Sequence, residues 1–481
     1  MAIRHRFSIY LLLHAVVLCA HASANDAPQQ PNILLLLADN WAWPHAGICG
    51  DKSVKTPTFD QLARDGALFT HAFCQVPSCS PARAVLLTGQ ASHRLEDAAS
   101  LWGRFPESLA TYPALLEEAG YVTGYTIKGW GPGMYRGKRH KKLNPAGQSF
   151  ASFKEFHSQI PEGQPFCFWF GSHDPHQPWD RGADYRGQLD ASKVHVPTYL
   201  PDHPVVRETI VDYYAEVQRF DYESGEILKQ LRESGQLDNT LVVMVGDNGW
   251  QTPRGLANVY DAGTRVPMAV RWPGHVAKDQ MCDEFISFED FAPTFLAAGG
   301  VPVRDEMTGR SFLPLVAAKG VRSDWRDAVF LERERHANVR SGDRSYPCRA
   351  VRTKDFLYVR NLAPDLWPAG DPEVHQSVGP FGDVDNTPFK ELILSNRHQP
   401  EMRPFFELGF GKRPAEELYD LRSDPEQIRN VAGDPKHAAT ISALKRKLHD
   451  WMRETDDPRS REESSRQFDE YPYYGRAVAK P

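Results

Sequence analysis

The sequence predicts an α/β fold with a largely parallel central sheet, and three apolar segments carry that prediction. Asn32-Ile-Leu-Leu-Leu-Leu-Ala38, Phe166-Cys-Phe-Trp-Phe-Gly171 and Thr240-Leu-Val-Val-Met-Val-Gly246 are short and continuously apolar. Runs without polar alternation suit strands buried on both faces, as parallel strands are. Each run ends in a polar cluster: Ser172-His173-Asp174-Pro175-His176 after the second, Asp39-Asn40 after the first and Asp247-Asn248-Gly249 after the third. Open α/β sheets bind ligands beyond the carboxyl ends of their strands. The three clusters are therefore expected to meet in one site.

The 481 residues, 41% hydrophobic and 25% charged, allow a large α/β core and a smaller second unit. Arg4 and Arg6 precede the apolar stretch Phe7 to Ala20, and Ala22-Ser23-Ala24 offers small residues for cleavage. Residues 1–24 thus read as a secretory signal, too short in its apolar part to span a bilayer stably. Loss of the two arginines takes the formal net charge from −6 to −8, which does not favour a nucleic-acid partner. Of seven cysteines Cys19 leaves with the signal, and the rest are irregularly spaced, unlike a disulfide framework. No Asn heads an Asn-x-Ser/Thr acceptor; Asn239-Thr240-Leu241 and Asn386-Thr387-Pro388 only approach one. The expected setting is periplasmic or extracellular and bacterial.

Further along, a loop with Trp41, Trp43 and His45 precedes Thr56-Pro57, a suitable helix start running to Arg64. Pro81 can take a first helical position, which places Cys79 at the amino end of a helix, where free N–H groups and the dipole favour an anion. The apolar spacing of Ile210, Tyr214, Val217, Ile227 and Leu231 predicts one long amphipathic helix or two shorter ones over residues 206–235. Residues 265–274 read as a strand ending in a turn and 287–298 as a helix. The apolar pattern lapses into charge around residues 332–344, which marks a boundary between residues 25–338 and a smaller unit, 339–460. In that unit 349–361 and 417–421 alternate like strands of a smaller sheet. Ile441, Leu444, Leu448, Trp451 and Met452 mark one face of a closing helix, with Lys445-Arg446-Lys447 on its solvated side. The tail, residues 461–481, is polar and expected to be loosely held.

The chemistry is concentrated in Cys79-Ser80-Pro81-Ala82-Arg83, followed by Thr88-Gly89. This segment resembles the C-x-P-x-R and T-G signature of the type I sulfatases. The resemblance extends to His173-Asp174-Pro175-His176, to Asp247-Asn248-Gly249 and to the run from Glu417 to Glu426. It implies an alkaline-phosphatase-like mixed, mostly parallel sheet sandwiched by helices, with a smaller C-terminal α+β domain carrying an antiparallel sheet. It also implies that Cys79 is oxidised to formylglycine by a maturation enzyme. A hydroxyl of the hydrated aldehyde would attack sulfur beside Arg83, with a proton passing to the leaving group from His173 or Lys128. Asp39, Asn40, Cys79, Asp247 and Asn248 would hold one Ca²⁺, for which hard oxygen donors are suited. Lys128 would bind sulfate oxygens, and His176, Arg254, Arg335, His336 and Arg349 are expected to face the substrate.

This chain departs from the family pattern at three places. Asn40 stands where a second Asp is usual, Gly131 follows Lys128 where a His is usual, and Leu256 precedes Tyr260 where a Lys is usual. His140 and Arg254 are the nearest substitutes for the missing groups. Ser78-Cys79-Ser80-Pro81, Ser345-Tyr346-Pro347-Cys348-Arg349 and Trp451 to Pro458 are most similar to the heparan N-sulfatase branch. The implied substrate is a sulfated polysaccharide or glycosaminoglycan, with O- or N-sulfate left open. The alternatives are a phosphatase or phosphonate hydrolase of the same superfold, and a protein that binds sulfated glycan without turnover.

Overall fold

In a computed structural model the described residues are 30–135, 143–317, 324–373, 379–462 and 465–475. The expected signal segment, His140 and part of the tail lie outside them. The larger sheet contains β1 (Asn32–Ala38), β2 (Ala67–Phe73), β3 (Val122–Ile127), β4 (Gln148–Phe150), β5 (Phe166–Gly171), β6 (Thr240–Gly246), β7 (Arg265–Arg271) and β8 (Gln280–Ser287), in the order β4-β3-β5-β1-β6-β7-β2-β8. β7 runs antiparallel to β6 and β2, and every other neighbouring pair is parallel. The sheet is therefore mixed and mostly parallel.

Side chains on a strand point alternately to its two faces, and β1 feeds both layers. Ile33, Leu35 and Leu37 join a core with Val85, Leu86, Leu116 and Phe295, whereas Leu34 and Leu36 join another with Phe59, Phe156, Ile210 and Val217. Helices Cys79–Thr88, Tyr112–Glu118 and Phe291–Ala298 thus cover one face, and Pro57–Arg64, Phe153–Ser158 and Pro204–Glu233 cover the other. The span expected as one helix or two is a single helix of 30 residues.

The second sheet is fully antiparallel, β12-β11-β10-β9, from β9 (Ala328–Arg333), β10 (Cys348–Thr353), β11 (Phe356–Asn361) and β12 (Glu416–Asp420). Helix Ala438–Glu454 packs on it through Leu444, Leu448, Trp451 and Met452. Both sheets belong to the unit Pro31–Pro481. The described part of the tail is fastened: Ser345 N and Oγ donate to Asp469, Arg335 Nη1 donates to Tyr471 O at 2.8 Å, and Tyr474 N donates to Trp102 O at 2.8 Å. The loose tail expected from its polarity is corrected by these bonds, which its polar side chains and backbone themselves make.

Candidate active site

The polar clusters converge because β5, β1 and β6 are adjacent and end in register. Leu37 pairs with Gly171, and Ala38 pairs with Gly246. Asn40 takes a left-handed turn, φ +69°, which Asn tolerates better than most residues. Its N–H donates to Asp247 Oδ1 at 2.8 Å, which joins the ends of β1 and β6. At the end of β3 the backbone turns at Ile127, φ +64°. Lys128 N then donates to Thr126 O and Gly171 O at 2.9 Å each. A Cβ on Gly171 would stand 1.8 Å from the Lys128 carbonyl oxygen, so glycine is required for that approach.

Cys79 is the first residue of its helix, and Pro81 is the third rather than the first. The first helical bond, Ala82 N to Ser78 O, lies beyond the proline nitrogen, so no bond is lost. Gly89 closes the helix at φ +68° with its N–H on Val85 O. Around the Cys79 sulfur stand Asp39 Oδ1 at 3.3 Å, Asn40 Oδ1 at 3.7 Å and Asn248 Nδ2 at 3.7 Å. Burial, then the charge of Asp39, pushes the Cys79 thiol well above its ordinary range. A neutral buried thiol is a poor nucleophile.

Two cations complete the cluster. Arg83 is wholly buried; its Nε donates to Asp247 Oδ2 at 2.8 Å and its Nη1 to the Lys128 and Gly129 carbonyls at 2.9 Å. Its Nη2 has no hydrogen-bond partner and lies 3.7 Å from Asp39 Oδ1. Lys128 Nζ is 2.5 Å from Asp39 Oδ2. Burial alone would raise Asp39, but Lys128, His176 and Arg83 hold its carboxyl well below the usual range. Burial and then the Asp39 charge push Asp247 up to about 6. His173 is exposed, and partial desolvation followed by the Lys128 charge pulls it down to about 4.

The donor set suits a hard divalent ion. Single ligand atoms of Asp39, Cys79 and Asp247 all lie within 4.8 Å of one another. Asn248 Oδ1 is buried with no hydrogen-bond partner, as an amide oxygen reserved for a cation would be. Asp247, whose ionisation is strained by burial and by the Asp39 charge, would gain from a positive ion between the two carboxylates.

The sulfatase family model matches residues 31–301, and the model for the C-terminal part of N-sulphoglucosamine sulphohydrolase matches residues 246–371. Human N-sulphoglucosamine sulphohydrolase is 30% identical, with 89% of this chain and 91% of the relative covered. The chain belongs to the sulfatase family. An ulvan-active sulfatase of Formosa agariphila is 24% identical over 91% of this chain and 77% of its own. A solved complex with D-glucosamine-2-N,6-O-disulfate as its substrate shares the fold at TM-score 0.64 and 18% identity, covering 90% of this chain and 99% of that one. The phosphonate monoester hydrolase of Agrobacterium radiobacter does so at TM-score 0.63 and 18% identity, covering 88% and 96%. This sulfatase has the alkaline-phosphatase-like architecture and is a sulfuric ester hydrolase.

Of the residues expected at the substrate, the structure brings His176 to the site and sends others elsewhere. His176 lies close enough to Asp39 to lower its carboxyl. Arg254 is buried, 3.8 Å over the Tyr260 ring, and donates to the carbonyls of Leu408 and Gln427. Arg335 is buried on the Tyr471 and Pro472 carbonyls. Arg349 is wholly buried between Asp457 and Glu334. The expectation that these three arginines face a sugar is corrected: all three are buried with guanidinium donors on partners inside the protein, Arg335 Nε alone of these being buried without one. His336 is buried too, but its Nδ1 lies 2.8 Å from Ser78 Oγ, next to Cys79 in the chain. Leu256 is buried and supplies no cation.

Sequence reasoning missed Gln251 and Asp385. Gln251 follows the Asp247-Asn248-Gly249 turn and contacts His176 and Asp385. Its nearness to that turn was a usable signal. Asp385 lies in a segment without a motif, so none was available for it.

Proposed function

We propose that the chain is a secreted or periplasmic sulfatase that releases sulfate from O- or N-sulfated polysaccharides or glycosaminoglycans. In this reading Cys79 is matured to formylglycine, and Asp39, Asn40, Asp247 and Asn248 hold one Ca²⁺ beside it. Supporting it is one observation above others: two carboxylates, two amides, Arg83 and Lys128 converge on a cysteine that, as a neutral thiol, has little reactivity of its own.

When present, the ion and the hydrated aldehyde would supply an activated hydroxyl for attack at sulfur. The protein's own groups do the rest. The amino end of helix Cys79–Thr88 favours the anion before reaction. Arg83, clamped by Asp247 and two carbonyls, points its remaining donor toward Asp39 and position 79. Lys128 keeps its proton, because desolvation, the largest effect, is outweighed by its acidic neighbours together, Asp39 foremost. It can therefore hold sulfate oxygens and hand a proton to the leaving group. His173, neutral near pH 7 in the free protein, gains proton affinity as the sulfate charge approaches.

The similarity to N-sulphoglucosamine sulphohydrolase and to ulvan-active sulfatases supports an anionic glycan as substrate. Residues 25–338 form the proposed catalytic part and 339–460 the smaller part, with β9 from the former completing the latter's sheet. The test is the mass of the peptide containing Cys79, where conversion removes about 18 Da, combined with sulfate release. Matured protein should release sulfate and Cys79→Ala should not. Converted protein that hydrolyses phosphate esters but no sulfate ester overturns the proposal.

A further inference from the structure

One carboxylate stands at the edge of the cluster without a role in the chemistry above. Asp385 lies shortly before helix Pro388–Asn396, in the connection that follows β11, and its near neighbours are bonded to the rest of the protein. Asp383 accepts from Arg333, from Arg340 and from Ala337 N at 3.0 Å. Lys390 Nζ donates to Val384 O at 2.7 Å, to Asn386 Oδ1 at 3.0 Å and to Phe381 O at 3.1 Å. These bonds fix the backbone on both sides of Asp385 and leave its side chain to point elsewhere.

That side chain is tied to the catalytic cluster through two residues. Gln251 Nε2 donates to Asp385 Oδ2, and Gln251 Oε1 accepts from Gln177 N at 2.7 Å. The same amide nitrogen is 3.3 Å from His176 Nε2. His176 Nδ1 is 2.6 Å from the Gln177 carbonyl, which only accepts, so Nδ1 carries a hydrogen, and in the neutral ring Nε2 receives the Gln251 N–H. His176 is in turn an electrostatic neighbour of Asp39. Asp385 is half-exposed, and its Oδ1 has no hydrogen bond among the described residues. Lys390 and the buried, desolvated His336 feel its charge without bonding to it.

A carboxylate oxygen open to solvent is unexpected beside a cluster whose largely buried Lys128 and exposed His173 serve an anion. We infer that Asp385 is a specificity-determining residue. Its free oxygen receives a hydroxyl or ammonium donor of the sugar whose sulfate lies at position 79, and its charge disfavours a second anionic substituent at that end. This rests on the sulfatase reading above. Gln251 acts as a positioning residue whose amide nitrogen contacts both the Asp385 carboxylate and the His176 ring.

The experiment uses matured, calcium-loaded protein turning over nitrophenyl sulfate, with two sugars as inhibitors: glucosamine carrying one O-sulfate and a free amine, and the corresponding N,O-disulfate. The wild type should be inhibited more strongly by the monosulfate. Asp385→Asn keeps an acceptor for Gln251 and removes the charge, so the ratio of inhibition constants should move by about five-fold toward the disulfate, as for a partly exposed charge pair. Asp385→Ser should move it the same way. A purely structural role would weaken both inhibitors together and leave the ratio unchanged. An unchanged ratio in both folded variants overturns the inference, as does lack of inhibition by either sugar while the aryl sulfate is turned over. Converted wild type that hydrolyses no aryl sulfate sinks the sulfatase reading itself.

Discussion

Arg83→Lys separates the geometry of the guanidinium from its charge. The native side chain makes three short contacts from two of its nitrogens: Nε to Asp247 at 2.8 Å, and Nη1 to the Lys128 and Gly129 carbonyls at 2.9 Å. A lysine ammonium is a single donor centre and cannot occupy the Nε and Nη1 positions together. If it stays with Asp247, both carbonyls lose a buried donor, at about 1–2 kcal/mol each, so the variant should be roughly 2–4 kcal/mol less stable. The turn carrying Lys128 also loses its clamp, and Nη2 disappears from beside Asp39. Removing one preorganised donor from a developing negative charge lowers kcat on the order of a hundred-fold. The assay is sulfate release normalised to the fraction of chains showing the loss of about 18 Da at position 79, because Arg83 lies within the maturation motif. Urea denaturation measures the stability term separately. A normalised kcat within about two-fold of wild type would refute the reasoning, even if the urea midpoint moved as expected.

Stripping divalent ions should lower the melting temperature, because Asp247 is pushed up to about 6 by burial and by Asp39, a strain that a cation relieves. Added Ca²⁺ at about a hundred times its Kd should restore roughly 2.7 kcal/mol; an unchanged melting curve would contradict the metal assignment. Arg349→Met leaves Asp457 and Glu334 without their buried partner, so it should be destabilised by about 3–5 kcal/mol while folded protein keeps its KM. A rise in KM confined to polyanionic substrates would return Arg349 to the substrate site. His93 should be charged: its Nδ1 is 3.1 Å from Glu332 Oε2 and its Nε2 is 3.1 Å from the Thr455 carbonyl. Burial is the largest effect and opposes the charge, but Glu332 and Asp457 together outweigh it, which holds the imidazole above its ordinary 6.5. A folded value above the unfolded one means that the contribution is complete below about 6.5 and is lost as pH rises through the folded value. The stability gap between wild type and His93→Gln should therefore narrow toward alkaline pH, and a gap that widens there would show His93 to be neutral.

The strands bearing the site were legible because burial on both faces removes polar residues from the sequence itself. β1, β5 and β6 have this character, and their polar terminators announced where the chemistry would gather. β3 and β8 carry half-exposed or exposed positions in their interiors, and β4, at the sheet edge, has no fully buried residue, so their apolar signal was too weak to read. β9 was hidden differently. Its sequence Ala-Val-Phe-Leu-Glu-Arg ends in charge, and those charges looked like the edge of a linker.

The stretch from Glu332 to Arg349 shows why charge alone misleads. In sequence it reads equally as a basic surface fit for an anionic sugar and as a solvated, salt-bridged stretch, because neither partner nor depth is visible. In the structure Arg333 and Arg340 share Asp383, Arg349 lies between Asp457 and Glu334, and Arg459 completes the set on Glu334. His93, Arg349 and Arg459 face Glu332, Glu334 and Asp457, so the charges balance inside the protein. Buried ions survive only when paired and hydrogen-bonded, and the acidic partners come from as far as residues 383 and 457. The active site is balanced differently. There Arg83 Nη2 and Asn248 Oδ1 remain buried without hydrogen-bond partners, beside the residues proposed to hold the substrate and the ion. Arg333 Nε and Arg340 Nη1 are unpaired in the arginine network too, so unpaired atoms alone do not mark a site; what sets position 79 apart is that its unpaired atoms stand with Asp39, Asp247 and Lys128 at the carboxyl ends of β1 and β6.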